Sequence, residues 1–254
     1  MPIRGLELST FFGHANLLGA AGWVDWHAPH ALAIRRIQHD VRAAGALLVV
    51  NHPCALGNPH CTGCRWDFSG TDYRRVACLE VWNGLWGDWE TRNPEALAMW
   101  TDLLNEGYRV TAVAGTDSHS ASRLSLPGMP FTWVHTRGLG EQAVMTALRR
   151  GRAIISSGPR VDLRTEQGGA VLPGATQPAQ HAVSVDVAGI DHPATLWMVA
   201  DGEVVDSHPL ESPGGWGTFQ LARRAAWSRW ELRAGSAPNG ELLALTNPVY
   251  QKAS

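Results

Sequence analysis

Along residues 30–44 the apolar side chains Ile34, Ile37 and Val41 recur among polar ones, the spacing of one buried helix face. Pro29 suits the first turn of that helix and Gly45 its end. Residues 46–50 follow as an unbroken apolar run, the pattern of a strand buried on both faces of a parallel sheet. The order then repeats. Asn93 and Pro94 open a helix carrying Leu97, Trp100, Leu103 and Leu104, which closes at Gly107 before a strand at 109–114. A third helix at 141–150 closes at Gly151 and leads into a strand at 152–156. Helix alternating with strand predicts an α/β region whose parallel strands present their polar ends on one rim. Beyond Gly158 the pattern shortens to alternating runs such as HAVSVDVAG and WSRWELRAG between Gly, Pro and Ser clusters, which predicts a small antiparallel β-sandwich. The expected organisation is an α/β domain over residues 1–157 and a sandwich over 158–254.

Composition narrows the classes. The 254 residues carry 21 basic and 23 acidic side chains, a net charge of -2 with no long block of either sign, which argues against a nucleic-acid partner. The opening MPIRGLELST lacks the charged start and apolar core of a signal peptide, and no apolar run approaches membrane-spanning length. The expectation is a soluble, cytoplasmic protein with no membrane partner. Four cysteines are too few for a disulfide scaffold and favour free thiols or metal ligation. Trp82, Trp86, Trp89 and Trp100 crowd one stretch, either lining an aromatic pocket or filling the core.

The candidate chemistry sits at strand ends. Glu7, His14, His52, Asp117 and His119 all fall at or just beyond predicted strands, and all are ligand types for a divalent metal. In TDSH one residue separates Asp117 from His119, so on an extended backbone both side chains point the same way. His52 belongs to this rim because it ends a buried strand. The loop after it holds Cys54, His60, Cys61 and Cys64, a set able to close a tetrahedral structural zinc site. The alternative is a loop of free thiols, and a thioredoxin-like role is disfavoured because the Cys-x-x-Cys does not open a helix. Cys78 reads as a small buried hydrophobe.

The succession GLELST…GHANLLG, LLVVNHP, LEVWNG, AGTDSH, GMPFTWV, GRAIISSGP and LTNPVY, spread over nearly the whole chain, resembles the PHP (polymerase and histidinol phosphatase) superfamily, in its CehA/McbA-like metallohydrolase branch. The resemblance implies a distorted (β/α)7 barrel with two or three metals that hydrolyse phosphoesters, and in this branch aryl carbamates and related esters. It makes Glu7 a carboxylate bridging two metals and His14, His52, Asp117 and His119 terminal ligands, with Glu80 of LEVWNG orienting ligands rather than binding metal. The family's opening His-x-His and Ser-Asp-Gly motifs have no counterpart here. The expected fold is therefore a truncated PHP-type barrel lacking its first strands, or one whose missing ligands come from His27, His30, His39 or a neighbouring subunit. Such an open barrel would leave an unpaired parallel edge, for which a homo-oligomer is the expected cover.

On this reading one or two zinc, manganese or iron ions activate a hydroxide that attacks phosphorus or a carbonyl carbon. Asp117, His119 and Glu7 carry the catalysis, with Asp117 also able to accept a proton. Arg123 and His135 contact the substrate, and Trp82 and Trp86 line a slot for an aryl leaving group. The expected substrate is a small phosphodiester or phosphotriester. The alternatives are an aryl carbamate or carboxylic ester hydrolase, and a non-catalytic binding or assembly module that has lost its metals.

Overall fold

A computed structural model of the chain describes residues 2–119, 128–165, 167–178, 182–221 and 225–252. The helix expected near residues 30–44 is α1 (Ile34–Ala43), with Ile34, Ile37 and Val41 buried. Its buried Gln38 side chain accepts from the Asp72 N–H at 3.1 Å and donates to the Asp72 carbonyl at 2.9 Å, fastening the helix to a distant loop. Helix α2 (Asn93–Asn105) places Pro94 in its first turn and buries Leu97, Trp100, Leu103 and Leu104. Helix α3 (Glu141–Arg149) buries Met145, Ala147 and Leu148.

The first sheet runs in the order β1 (Gly5–Thr10), β2 (Gly13–Leu18), β3 (Leu47–Val50), β4 (Cys78–Asn83) and β5 (Thr111–Gly115). Only β3, β4 and β5 are parallel to one another, whereas β1, β2 and β3 are antiparallel in succession. A larger sheet contains β6 (Phe131–Val134) and β7 (Ala153–Ser156). A small antiparallel sheet holds β8 (Arg160–Thr165), with a short β9 (Thr176–Gln177) lying apart from it, then β10 (Ala182–Ala188). The larger sheet is completed by β11 (Ala194–Ala200) and β12 (Glu203–Leu210), and the small one by β13 (Gly214–Gln220). Strands β14 (Trp227–Ala234), β15 (Leu242–Thr246) and β16 (Val249–Gln251) return to the larger sheet, where β15 pairs with β7.

This is not a (β/α)7 barrel, whole or truncated. Sixteen strands and three α-helices are found among the described residues, and no sheet closes on itself. The connections explain the departure, because barrel closure needs a helix between successive parallel strands. Here β1 and β2 form a hairpin, the segment between β3 and β4 contains only one short 3-10 turn, and α3 joins β6 and β7, which are antiparallel. The outer edge of β3, expected to be open, is paired by the β1–β2 hairpin of the same chain.

Side chains join the first sheet to the larger one. Asn247 accepts from the Ala112 N–H at 2.7 Å and donates to the carbonyls of Ala112 and Ala153 at 2.9 and 3.0 Å. Thr132 Oγ1 likewise accepts from the Ala114 N–H and donates to its carbonyl. These groups serve β5 as a neighbouring strand would, satisfying backbone that is otherwise buried without partners.

Among the described residues the buried apolar side chains form three clusters, the smallest packing Met145 and Leu148 of α3 on Leu47, Val49 and Cys78. Val183, Val185, Leu163 and Phe219 of the small sheet face Leu196, Met198, Trp230 and Leu232 of the larger one. The opposite face of the larger sheet meets α2, where Trp227, Leu242 and Leu245 pack in one cluster with Trp100 and Trp82. That face of β14 also carries a buried charged row: Glu231 is held by Arg229 at 2.9 Å and Arg233 at 2.6 Å, with the guanidiniums over Trp100 and Trp86 respectively. Among the described residues no helix is long and apolar enough to cross a membrane.

Candidate metal centre

Backbone geometry sets the site at the carboxyl ends of β3, β4 and β5. His52 leaves β3 with φ 26° and Asp117 leaves β5 with φ 47°, left-handed conformations that cost energy for residues with a Cβ and cluster at functional positions. The His52 N–H donates to Glu80 Oε2 at 2.8 Å, and Asn83 Nδ2 donates to the same oxygen at 3.1 Å. Gly115 makes room for this carboxyl, since a Cβ there would overlap Glu80 Oε1. Burial raises the Glu80 pKa from 4.5 to about 7, against the opposing pull of its hydrogen bonds from Asn83 and His52.

Imidazoles meet in front of that support. The rings of His14, on β2, and His52 lie 5.2 Å apart, edge to face. His14 Nε2 is 3.3 Å from the Thr62 carbonyl, and Nδ1 is 3.6 Å from Glu7 Oε1 and 3.9 Å from Cys64 Sγ. His52 Nδ1 is 3.2 Å from the Cys64 carbonyl, while Nε2 is 3.8 Å from Asp117 Oδ2. Ligand atoms of His14, His52 and Cys64 all fall within 4.8 Å of one another. Burial lowers the pKa of His14, and nearby His52 adds to that shift while Glu7 opposes it, so the ring is held in the neutral form a metal requires. Asn51 donates from Nδ2 to Glu7 Oε1 at 3.0 Å, and its own buried Oδ1 has no hydrogen-bond partner among the described residues. Two nitrogens, a sulfur and flanking carboxylates make a donor set suited to zinc or another borderline divalent ion, and such an ion could be held here.

The remaining expected residues divide. Glu7 and Asp117 flank the group, whereas His119 has an 86% exposed side chain with Nδ1 2.8 Å from the Asp117 carbonyl. Asp117 is left-handed rather than extended, yet His119 Nδ1 lies 3.6 Å from Asp117 Oδ1, so the two side chains stay neighbours beside the group. His27, His30 and His39 do not belong to the group. The separate zinc cluster expected from Cys54, His60, Cys61 and Cys64 is not assembled. Cys61 and Cys64 are bonded to each other, His60 stacks edge-on against Trp89 at 5.4 Å, and Cys54 is a free thiol whose pKa is raised by burial. Cys64 thus enters the histidine site, but as a ligand only once the bond to Cys61 is reduced.

His135 lies at the other end of the strands. It follows β6, which runs antiparallel to β7, and its N–H donates to the Arg152 carbonyl just before β7 begins. Trp82 is buried and donates from Nε1 to the Gly84 carbonyl, so it fills core and lines no slot. Trp86 borders an open hollow of about 840 Å³ with Leu85 and exposed Trp89, on a loop packed against the Cys64 loop through Leu56 N–H to the Glu90 carbonyl. Arg123 lies outside the described residues. Asn51 and Gly115 were not marked by the sequence pattern, although Asn51 adjoins His52 at the end of the apolar run.

No family model matches this chain, and no curated protein matches it. A solved structure, the crystal structure of an engineered protein, aligns over 74% of this chain and 51% of its own at 18% identity and a TM-score of 0.26, too low to carry an argument about fold or function.

Proposed function

We propose that the chain is a metal-dependent hydrolase of small phosphoesters. The observation that carries this reading is the convergence of His14, His52 and Cys64 between the carboxylates of Glu7 and Asp117 at the carboxyl ends of the strands. The motif order described above, which resembles the PHP superfamily, supports it. A divalent ion bound there would supply Lewis acidity and lower the pKa of water to near neutrality. His14 and His52 would hold the ion, with Cys64 joining when reduced. Glu80 and Asn83 fix the backbone of His52 so that its ring need not reorganise. Asp117, whose carboxylate is partly exposed beside His52, is placed to accept the proton of the attacking water.

The test is metal content per chain after dialysis, followed by hydrolysis of nitrophenyl phosphodiester, phosphotriester and naphthyl carbamate substrates by the zinc- and manganese-loaded chain. Phosphoester turnover lost in Asp117→Ala supports the reading. A faster carbamate reaction assigns the site to ester and carbamate chemistry instead. Absence of retained metal and of turnover on every substrate overturns it.

A further inference from the structure

The opposite end of the parallel strands carries a different chemistry. Two cavities of about 420 Å³ each lie where β3, β4, β5 and β7 begin, and they share Arg109 and Arg149 as wall residues. Arg150 and Arg152 complete the first cavity, Arg42 joins the second, and among the described residues no acidic one lines either. Among the described residues none of these five arginines forms an ion pair with a carboxylate. Arg74 and Arg75, also on the second wall, both pair with Asp72 and add no unpaired charge.

Local structure accounts for only part of this charge. Arg42 and Arg149 stand in the last turns of α1 and α3, and each helix end offers about half a negative charge. Five guanidiniums against two such ends leave a surplus of about four positive charges in a chain whose formal net charge is -2. Two of the arginines are also held in place. Arg109 lies 4.1 Å over the Tyr250 ring, and Arg149 donates from Nη2 to the Gly45 carbonyl at 3.0 Å. The first cavity's wall depends on two left-handed glycines, Gly151 and Gly174, where a Cβ on Gly174 would overlap the Arg150 carbonyl.

We infer that this end of the molecule binds a small, multiply phosphorylated anion, at a site separate from the histidine centre. Guanidinium groups pair bidentately with phosphate oxygens, and a cluster of them around a cavity matches several phosphates in one molecule. The cavities are of small-ligand size, which lies at about 300–1,000 Å³. A nucleic acid is the poorer fit, because domains that bind it are typically basic, with pI above about 9, whereas this chain has a pI near 6.6.

The experiment is calorimetric titration of the full chain with inorganic tripolyphosphate, in EDTA so that no metal at the histidine centre bridges to phosphate. Arg109→Gln with Arg150→Gln, and separately Arg150→Gln with Arg152→Gln, remove wall charges. Arg164→Gln is the control, on a strand of the small sheet and paired with Asp186. Thermal unfolding checks that each variant folds. The expected result is sub-millimolar binding by wild type and control, weakened about tenfold or more in both double variants. Three results overturn the proposal: no binding of tripolyphosphate, equal binding by the double variants and the control, or tighter binding of a single-stranded oligonucleotide than of tripolyphosphate.

Discussion

The main-chain N–H of His52 donates to Glu80 Oε2 at 2.8 Å, so the residue that turns the chain out of β3 is held by a carboxyl buried in the next strand. That one bond couples the conformation of a candidate ligand to the protonation of a group with pKa near 7.

Because the folded pKa of Glu80 is raised from 4.5 to about 7, the fold favours its protonated form. This contribution is fully present below the unfolded value and is lost as pH rises through the folded one, a change of about 3 kcal/mol. His14, with its lowered pKa, works in the opposite direction, so the comparison that isolates Glu80 is between variants. Urea unfolding of the metal-free chain between about pH 5 and pH 8 is expected to show Glu80→Gln gaining stability relative to wild type as pH rises. Parallel pH profiles would refute the assignment.

Gly115→Ala forces a Cβ into the place of Glu80 Oε1. The carboxyl must shift, and His52 loses its backbone anchor. The expected outcome is zinc affinity lower by about 10–100-fold, measured by competition with a chromogenic chelator, as for lost outer-shell partners elsewhere.

Reduction is expected to govern metal loading. Cys64 Sγ lies 3.9 Å from His14 Nδ1 but is bonded to Cys61. A dithiol reductant converts that bond to two thiols, freeing Cys64 as a third ligand beside His14 and His52. Zinc affinity should therefore be higher for the reduced chain than for the oxidised one, and Cys61→Ser should bind as tightly without reductant. Equal affinity in all three preparations would remove Cys64 from the site.

Glu231→Gln leaves Arg229 and Arg233 buried without their shared counter-charge. Loss of one partner from such a group is expected to cost about 3–5 kcal/mol in urea unfolding. Replacing all three residues by apolar side chains of similar volume should cost less than the single change.

Asn93→Ala removes the side chain that accepts from the Asn83 N–H at 2.8 Å and donates to the carbonyls of Asn83 and Leu85 at 3.0 Å each. Each buried group left unpaired costs about 1–3 kcal/mol. The expected result is a lower midpoint of thermal unfolding, together with faster proteolysis in the loop carrying Trp86 and Trp89.

Much of the local structure was legible in the sequence because it follows from periodicity alone. The repeat of Ile34, Ile37 and Val41 marks α1, Pro94 and the Leu97–Trp100 spacing mark α2, and the run ending at Val50 marks a strand buried along its length, which places His52 at its end. Those patterns are properties of neighbours along the chain. Whether strands close a barrel is decided by how each connection turns, and neither the β1–β2 hairpin nor the antiparallel β6 and β7 can be read from apolar spacing. The same holds at the site. The sequence offers Asp117 and His119 as a pair and Cys64 as part of a cluster with Cys54, His60 and Cys61; the first two stay 3.6 Å apart, whereas the return of the 51–77 segment across β2 brings Cys64 to His14 instead. The arginines are scattered from position 42 to 152, and only the parallel alignment of strand starts gathers them at one end. Sequence alone determined which segments could be buried. Tertiary structure decided which polar groups meet, because that depends on contacts between residues far apart along the chain.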